Sequence, residues 1–235
     1  MLLEFQSRGS SSPLIEHVWR SRSRSSGSFL SMAEGNIELV VTRLPGRLAV
    51  TLRGPVSQGT FVECPPGGEW LAVRFRVGTF LPSIQTAELM DHRNLNLPVI
   101  SSDRFWLGGQ AFEIPSFSNA EQLVASLVSS GLIARNGSAD AALEGDFDWM
   151  SRRSVQRHFR RATGITFSSY RQIERARRAA ALITDGQSIL DAAYQAGYAD
   201  QAHLTRSMKK LVGITPGALA EKRPQLSFSF KTAAS

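Results

Sequence analysis

The 235-residue chain has a single cysteine, Cys64. It can form no internal disulfide and no thiolate cage for a metal, a pattern suited to a reducing compartment. No apolar run approaches the roughly 18 residues of a membrane-spanning helix, and the start, MLLEFQSRGSSS, lacks the basic opening and apolar stretch of a signal peptide. A cytoplasmic protein without membrane contact is expected. The histidines, at 17, 92, 158 and 203, never form the close His-x-His with an acid that would suggest a metal site. No Ser/His/Asp or Cys/His arrangement can be defended from spacing. Neither cofactor nor enzymatic activity is expected. With 42% hydrophobic and 20% charged residues, the composition also excludes a disordered or collagen-like chain.

Acidic residues are scarce in one place. Residues 1–134 balance 11 Arg and Lys against 11 Asp and Glu, whereas residues 135–235 carry 16 against 9, so the net charge of +7 arises there. Between Arg152 and Arg178 nine arginines (152, 153, 157, 160, 161, 171, 175, 177 and 178) face one acid, Glu174. Such a stripe attracts polyanions, because neutralising phosphates releases condensed counterions.

The chain changes character once. From Leu14 to about Pro115, short β-rich runs (37–43, 48–53, 59–63 and 70–77) alternate with Gly and Pro turns, suggesting a small sandwich or barrel. Arg20–Ser26, RSRSRSS, is read as an exposed loop or strand edge. An amphipathic helix over 119–130 closes the region, and helical spacing takes over after Gly131. The expected division is a disordered segment 1–12, a β-rich domain 13–134, a helical domain 135–222 and a flexible tail 223–235, an α+β chain of two domains.

Sliding the helical region by 49 residues superposes Ser151-RRSVQRHFRRATGIT on Asp200-QAHLTRSMKKLVGIT. Each copy opens on an N-cap residue and stops at a glycine. Each carries apolar residues on one side: Val155, Phe159 and Ala162 in the first, Leu204, Met208 and Leu211 in the second. Upstream of the second copy, Ser188-ILDAAYQA and Gly197 complete a helix-turn-helix, whose second helix can enter a DNA major groove. Between the copies, Ser168–Thr184 predicts a helical rod of roughly 25 Å. With flanking turns it could hold two reading helices about one DNA turn, ~34 Å, apart.

These segments, with RQIERARRAAALI between them, resemble the DNA-binding domain of AraC/XylS-type transcription regulators over about 85 residues. The resemblance implies base reading by Arg153, Gln156 and Arg157 in the first helix and by Gln201, Ala202, Thr205 and Arg206 in the second. Arg152, Arg160, Arg161, Lys209 and Lys210 suit phosphates. It implies double-stranded operator DNA as partner, with RNA polymerase, a small-molecule effector and a second copy of the chain as further candidates. Two departures stand out: Met208 occupies a position where the family usually has Phe, and the helix before the first reading helix is short, ending near Gly145.

Trp70-LAVRFRVGTF and Gly54-Pro55 resemble the cupin-like sensor domain that precedes this DNA-binding domain in some regulators. Strand alternation groups Trp70, Arg74 and Arg76 as a candidate effector face, against the simpler arrangement in which Leu71, Val73 and Phe75 form the core and the arginines face solvent. Trp106, Phe112 and Phe117 are expected in the core. Two other readings remain open at this stage: an N-terminal domain serving only dimerisation or protein docking, and a DNA-alkyl acceptor at Cys64.

Overall fold

The computed structural model describes residues 3–145 and 151–226, except for the side chain of Arg152. The N-terminal region is mostly β and the C-terminal region helical. In chain order the strands are β1 (Leu3–Arg8), β2 (Ile15–Ser23), β3 (Gly27–Ser31), β4 (Glu38–Leu44), β5 (Arg47–Arg53), β6 (Thr60–Cys64), β7 (Glu69–Phe75), β8 (Thr79–Phe80), β9 (Leu95–Leu97), β10 (Arg104–Leu107) and β11 (Gln110–Glu113). A 3₁₀ turn spans Thr86–Leu89; helix α1 (Ala120–Ser129) and β12 (Ala134–Arg135) complete the region. The helices α2 (Gly137–Glu144), α3 (Arg152–Thr163), α4 (Phe167–Thr184), α5 (Ile189–Gln195), α6 (Gln201–Leu211) and α7 (Pro216–Lys222) follow.

Six strands form one antiparallel sheet in the order β1-β2-β7-β4-β5-β9. Alternation sends Val18, Leu39, Val41, Val50, Leu52, Val73 and Phe75 to one face. There they pack against Phe105 and Phe112 of the β10–β11 hairpin and Leu123, Val124 and Leu127 of α1. Residues of the β3–β6 pair close over parts of the opposite face.

Four expectations need correction. The arginine-serine tract is a loop only in part: Arg24–Ser26 form the exposed bend that leads to β3, but Arg20–Ser23 lie in β2, hydrogen-bonded to β1 on one side and β7 on the other. Its period of two is the reason, with Ser21 and Ser23 buried and Arg20 and Arg22 exposed. Residues 3–8, expected outside the fold, form strand β1. Arg8 ties it to α1 through paired contacts of 2.6 and 2.8 Å to Glu121, and this bonding holds the Glu121 carboxyl down at about 2. Trp106 is 43% exposed on the hairpin, whereas Phe112 is core and Phe117 packs at its margin. The start of the C-terminal tail is held to the β region. The Gln225 carbonyl accepts from the Leu30 N–H at 2.8 Å, and its side-chain amide bonds the Leu3 backbone at 3.0 and 3.1 Å.

The helical core draws on Ala139, Val155, Phe159, Ile173, Ala176, Ala180, Ile183, Leu204 and Met208, and also on Leu30, Met32, Ala33 and Val77 from the β region. Strands and helices thus share buried surface. Arg74 of β7 is fully buried; its guanidinium contacts Glu34, and its Nε lies 2.8 Å from Glu38 Oε1. Glu34 also lies 3.8 Å from Arg177 of α4, whose Nη1 donates to the Ala33 carbonyl at 3.4 Å.

His17 is buried near these two arginines, and burial, then Arg74, then Arg177 push its pKa down to about 3. A base whose folded pKa lies below its unfolded value contributes stability above the unfolded pKa and loses it as pH falls toward the folded one. Unfolding free energy is therefore expected to drop by about 1–2 kcal/mol between pH 7 and pH 5 through this one residue. Urea titrations of the parent and His17→Leu at both pH values check it. An unchanged pH slope in the variant would remove His17 as the cause.

Candidate nucleic-acid interface

The two repeat copies become α3 and α6, and they are built alike from the cap down. Ser151 Oγ accepts the Ser154 N–H at 3.3 Å, and Asp200 Oδ1 accepts the His203 N–H at 2.6 Å. Val155, Phe159 and Ala162 are buried on one helix, Leu204, Met208 and Leu211 on the other. Met208 is fully buried and fills its place in that stripe.

Burying that stripe leaves the opposite one in solvent. Arg153, Gln156 and Arg157 are exposed on α3; Gln201, Ala202 and Arg206 are exposed on α6. Thr205 is half-buried, its hydroxyl donating to the Gln201 carbonyl at 2.7 Å. Arg160, Arg161, Lys209 and Lys210 are exposed in the last turns, where cations also complement the helix dipole. The side chain of Arg152 lies outside the described residues.

Around α6 the helix-turn-helix is complete. Ala192, Ala193 and Ala196 of the α5 segment are buried, and Gly197 turns the chain at φ 77°. The Tyr198 hydroxyl lies 2.8 Å from Ser207 Oγ, and His203 packs edge-on against the Tyr198 ring with centroids 5.1 Å apart. Around α3 the partner helix is α2, eight residues ending at Gly145 with φ 77°. Arg153, Gln156 and Arg157 line an open groove whose other wall is the segment 80–87 of the β region.

Two members of the arginine stripe have structural work that the charge count does not reveal. Arg175 stacks over Tyr198, 4.5 Å from the ring centroid, and donates to the Gly197 carbonyl at 3.1 Å, tying α4 to the turn. Arg177 is buried against Ala33 and Glu34. Ala176, Ala179 and Ala180 on either side are also buried, a run that could have flagged Arg177 from the sequence.

Of the three candidate effector residues, Trp70 and Arg74 share a small, partly open cavity of about 110 Å³, together with Trp19, Glu38, Arg53 and Cys64. Arg76 does not join them: β7 ends at Phe75, the alternation ends with it, and Arg76 is exposed. Arg74 is buried rather than facing solvent, while Val73 and Phe75 are core as the simpler arrangement has it. The Arg53 Nε is buried without a hydrogen-bond partner, and burial lowers that guanidinium's pKa against the pull of Glu38. Burial and then Glu63 push the Cys64 thiol up, away from the thiolate that alkyl transfer needs. Among the described residues, no group of three or more His, Cys, Asp or Glu could hold a metal, and no helix is long and apolar enough to cross a membrane.

Residues 149–222 match the family model described as a helix-turn-helix domain. The matched segment contains α3 through α7. A search of curated proteins gives no match. Among solved structures, ToxT from Vibrio cholerae is similar over 93% of this chain and 97% of its own, at 12% sequence identity and a TM-score of 0.40.

The two kinds of arginine on α4 are separable. Arg175→Ala is expected to lower unfolding free energy by about 1–2 kcal/mol, the stacking and the hydrogen bond together. Arg178→Ala, on the exposed face, should stay within about 0.5 kcal/mol. Urea denaturation of both variants checks the difference; equal stabilities would mean that the contact with Tyr198 contributes nothing.

Proposed function

We propose that this chain is a transcription regulator that reads two successive major grooves, α3 in one and α6 in the next. The observation that carries the reading is the pair of equivalently capped helices. Each buries the same stripe and leaves Arg and Gln exposed toward its N-terminal half. Arg is the side chain for bidentate contact with guanine and Gln for adenine, while Ala202 suits a thymine methyl. Arg160, Arg161, Lys209 and Lys210 set the register on phosphates and carry no sequence information.

The cavity favours a small effector over an N-terminal region that serves only to dimerise or dock. Its walls combine indole rings with an Arg53 Nε–H that lacks a partner. A compound with a flat apolar body and one acceptor atom would satisfy both. At about 110 Å³ the space holds only a compact molecule, since a water occupies ≈ 30 Å³ of liquid.

Selection from a random DNA pool by the full-length protein is expected to enrich two short boxes about 10 base pairs apart. Enrichment of a single box would remove α3 from the reading, and purely salt-sensitive binding without enrichment would remove both helices. On the selected site, Arg206→Ala should cost about 1–3 kcal/mol of discrimination at one base pair. Lys209→Ala should weaken all sequences alike and reduce the salt slope by about one unit. Equal losses on target and random DNA for Arg206→Ala would overturn its assignment. A thermal-shift screen tests the effector: stabilisation by a compact planar acceptor that disappears in Arg53→Leu is the expected result. The same shift in that variant would exclude the cavity.

A further inference from the structure

The last turn of an α-helix leaves carbonyls without intrahelical partners. In both reading helices, the β region supplies donors to those carbonyls at or beside equivalent places. On α3, the Ala162 carbonyl accepts from Thr86 Oγ1 at 2.9 Å in a buried contact. On α6, the Leu211 carbonyl accepts from the Ala33 N–H at 2.7 Å, and the Lys210 carbonyl accepts from the Gly59 N–H at 3.0 Å. Ala162 and Leu211 occupy the same position of the 49-residue repeat.

The glycines that end the helices are also equivalent, and both are contact points. A Cβ on Gly164 would sit 3.1–3.2 Å from the backbone of Thr86 and Ala87. A Cβ on Gly213 would sit 2.8 Å from the Gly59 carbonyl, and one on Gly59 would sit 2.1 Å from the Val212 carbonyl carbon. At the second grip, backbone lies directly on backbone, with no room for a side chain on either strand of the contact.

These grips hold the C-terminal ends, while the reading residues lie toward the N-terminal ends, those of α3 along the open groove whose other wall is the segment 80–87. The other element that sets where α3 lies relative to α6 is α4, which joins them and shares their core. The contact of α3 with α4 includes the Phe159 ring against Phe167 and Tyr170. Otherwise α3 packs on α2, on the Thr86–Leu89 turn and on β8.

We infer that the N-terminal β region is a gauge: by gripping equivalent C-terminal carbonyls of α3 and α6 it fixes the distance between the two reading helices, and so the spacing of the DNA boxes the chain accepts. The consequence for DNA rests on the two-groove reading above; the grip itself does not. Regulation through such a gauge alters the accepted spacing, leaving each helix's own base preference intact. The cavity is placed for this, since Glu34 in its wall directly follows Ala33, which grips α6.

Two measurements on the full-length chain test the inference separately. In the first, nitroxides are attached at Arg160→Cys and Lys209→Cys, exposed and equivalent positions, in a Cys64→Ser background, and the distance between them is read by pulsed electron resonance. A single narrow distance is expected. It should broaden or shift in Thr86→Val, which keeps the side-chain shape and removes the hydroxyl, and in Gly59→Ala. Thr86→Val perturbs a single hydrogen bond, so it remains informative if Gly59→Ala does not fold. A distance equally narrow and unmoved in Thr86→Val overturns the gauge, whatever the chain does with DNA.

In the second measurement, unlabelled protein binds two-box DNA whose spacer is lengthened or shortened by one base pair. The parent should discriminate by about tenfold or more, and both variants should discriminate less. Undiminished discrimination in a variant whose helix distance has broadened overturns the link from grip to spacing. A parent that binds every DNA alike overturns the two-groove reading and leaves the distance measurement to decide the grip.

Discussion

A guanidinium with no access to water must be surrounded by acceptors, and Arg74 is such a group. Its position at the centre of the sheet, on β7 between β2 and β4, is dictated by strand pairing. Taking an ion from water costs several kcal/mol, and only closely placed opposite charges offset it. Glu34 and Glu38 provide them, and the Trp19 indole N–H adds a bond of 3.2 Å to Glu38. The carboxylates hold residues 33–38 in one path across the sheet. That path presents the Ala33 N–H and C=O to α6 and α4, so the segment that neutralises the buried charge also takes part in seating the helices.

The same constraint explains why the arginine stripe is not uniform. An arginine on α4 that faces the β region meets Glu34 and the Ala33 carbonyl and becomes part of the core, as Arg177 does. One facing the helix-turn-helix meets the Tyr198 ring and the Gly197 carbonyl. Those facing neither, such as Arg171 and Arg178, remain exposed. Charge density therefore marks where cations gather, while the partners within the fold decide which of them remain exposed.

What the sequence makes legible is whatever repeats or alternates. The capped, one-sided helices show in the 49-residue repeat because their caps, buried stripe and terminal glycine are all local. The core of β7 shows in its alternation. The arginine-serine tract carries the same period of two, but its composition suggests a solvated loop. Only the pairing with both β1 and β7 shows that serines fill the inward positions. Arg74 and Arg76 look equivalent by alternation, and differ because the strand ends between them. The anchoring of β1 by Arg8 and Glu121, of the tail by Gln225, and of α4 by Glu34 all join residues more than 100 apart in sequence. No local pattern encodes such pairs.

The terminal glycines of the repeat show how one residue can satisfy two requirements at once. Read along the chain, Gly-Ile-Thr after each helix is a stop signal: glycine reaches positive φ without strain, and Gly164 and Gly213 do so at 77° and 92°. In the folded molecule the same absence of a side chain lets the β region approach the helix ends, to within 2.8 Å of where a Cβ on Gly213 would lie. Asparagine, which also tolerates positive φ, would meet the first requirement and fail the second at Gly213. The local motif and the long-range contact thus coincide at that position. The contact is invisible in the sequence because the motif already explains the residue.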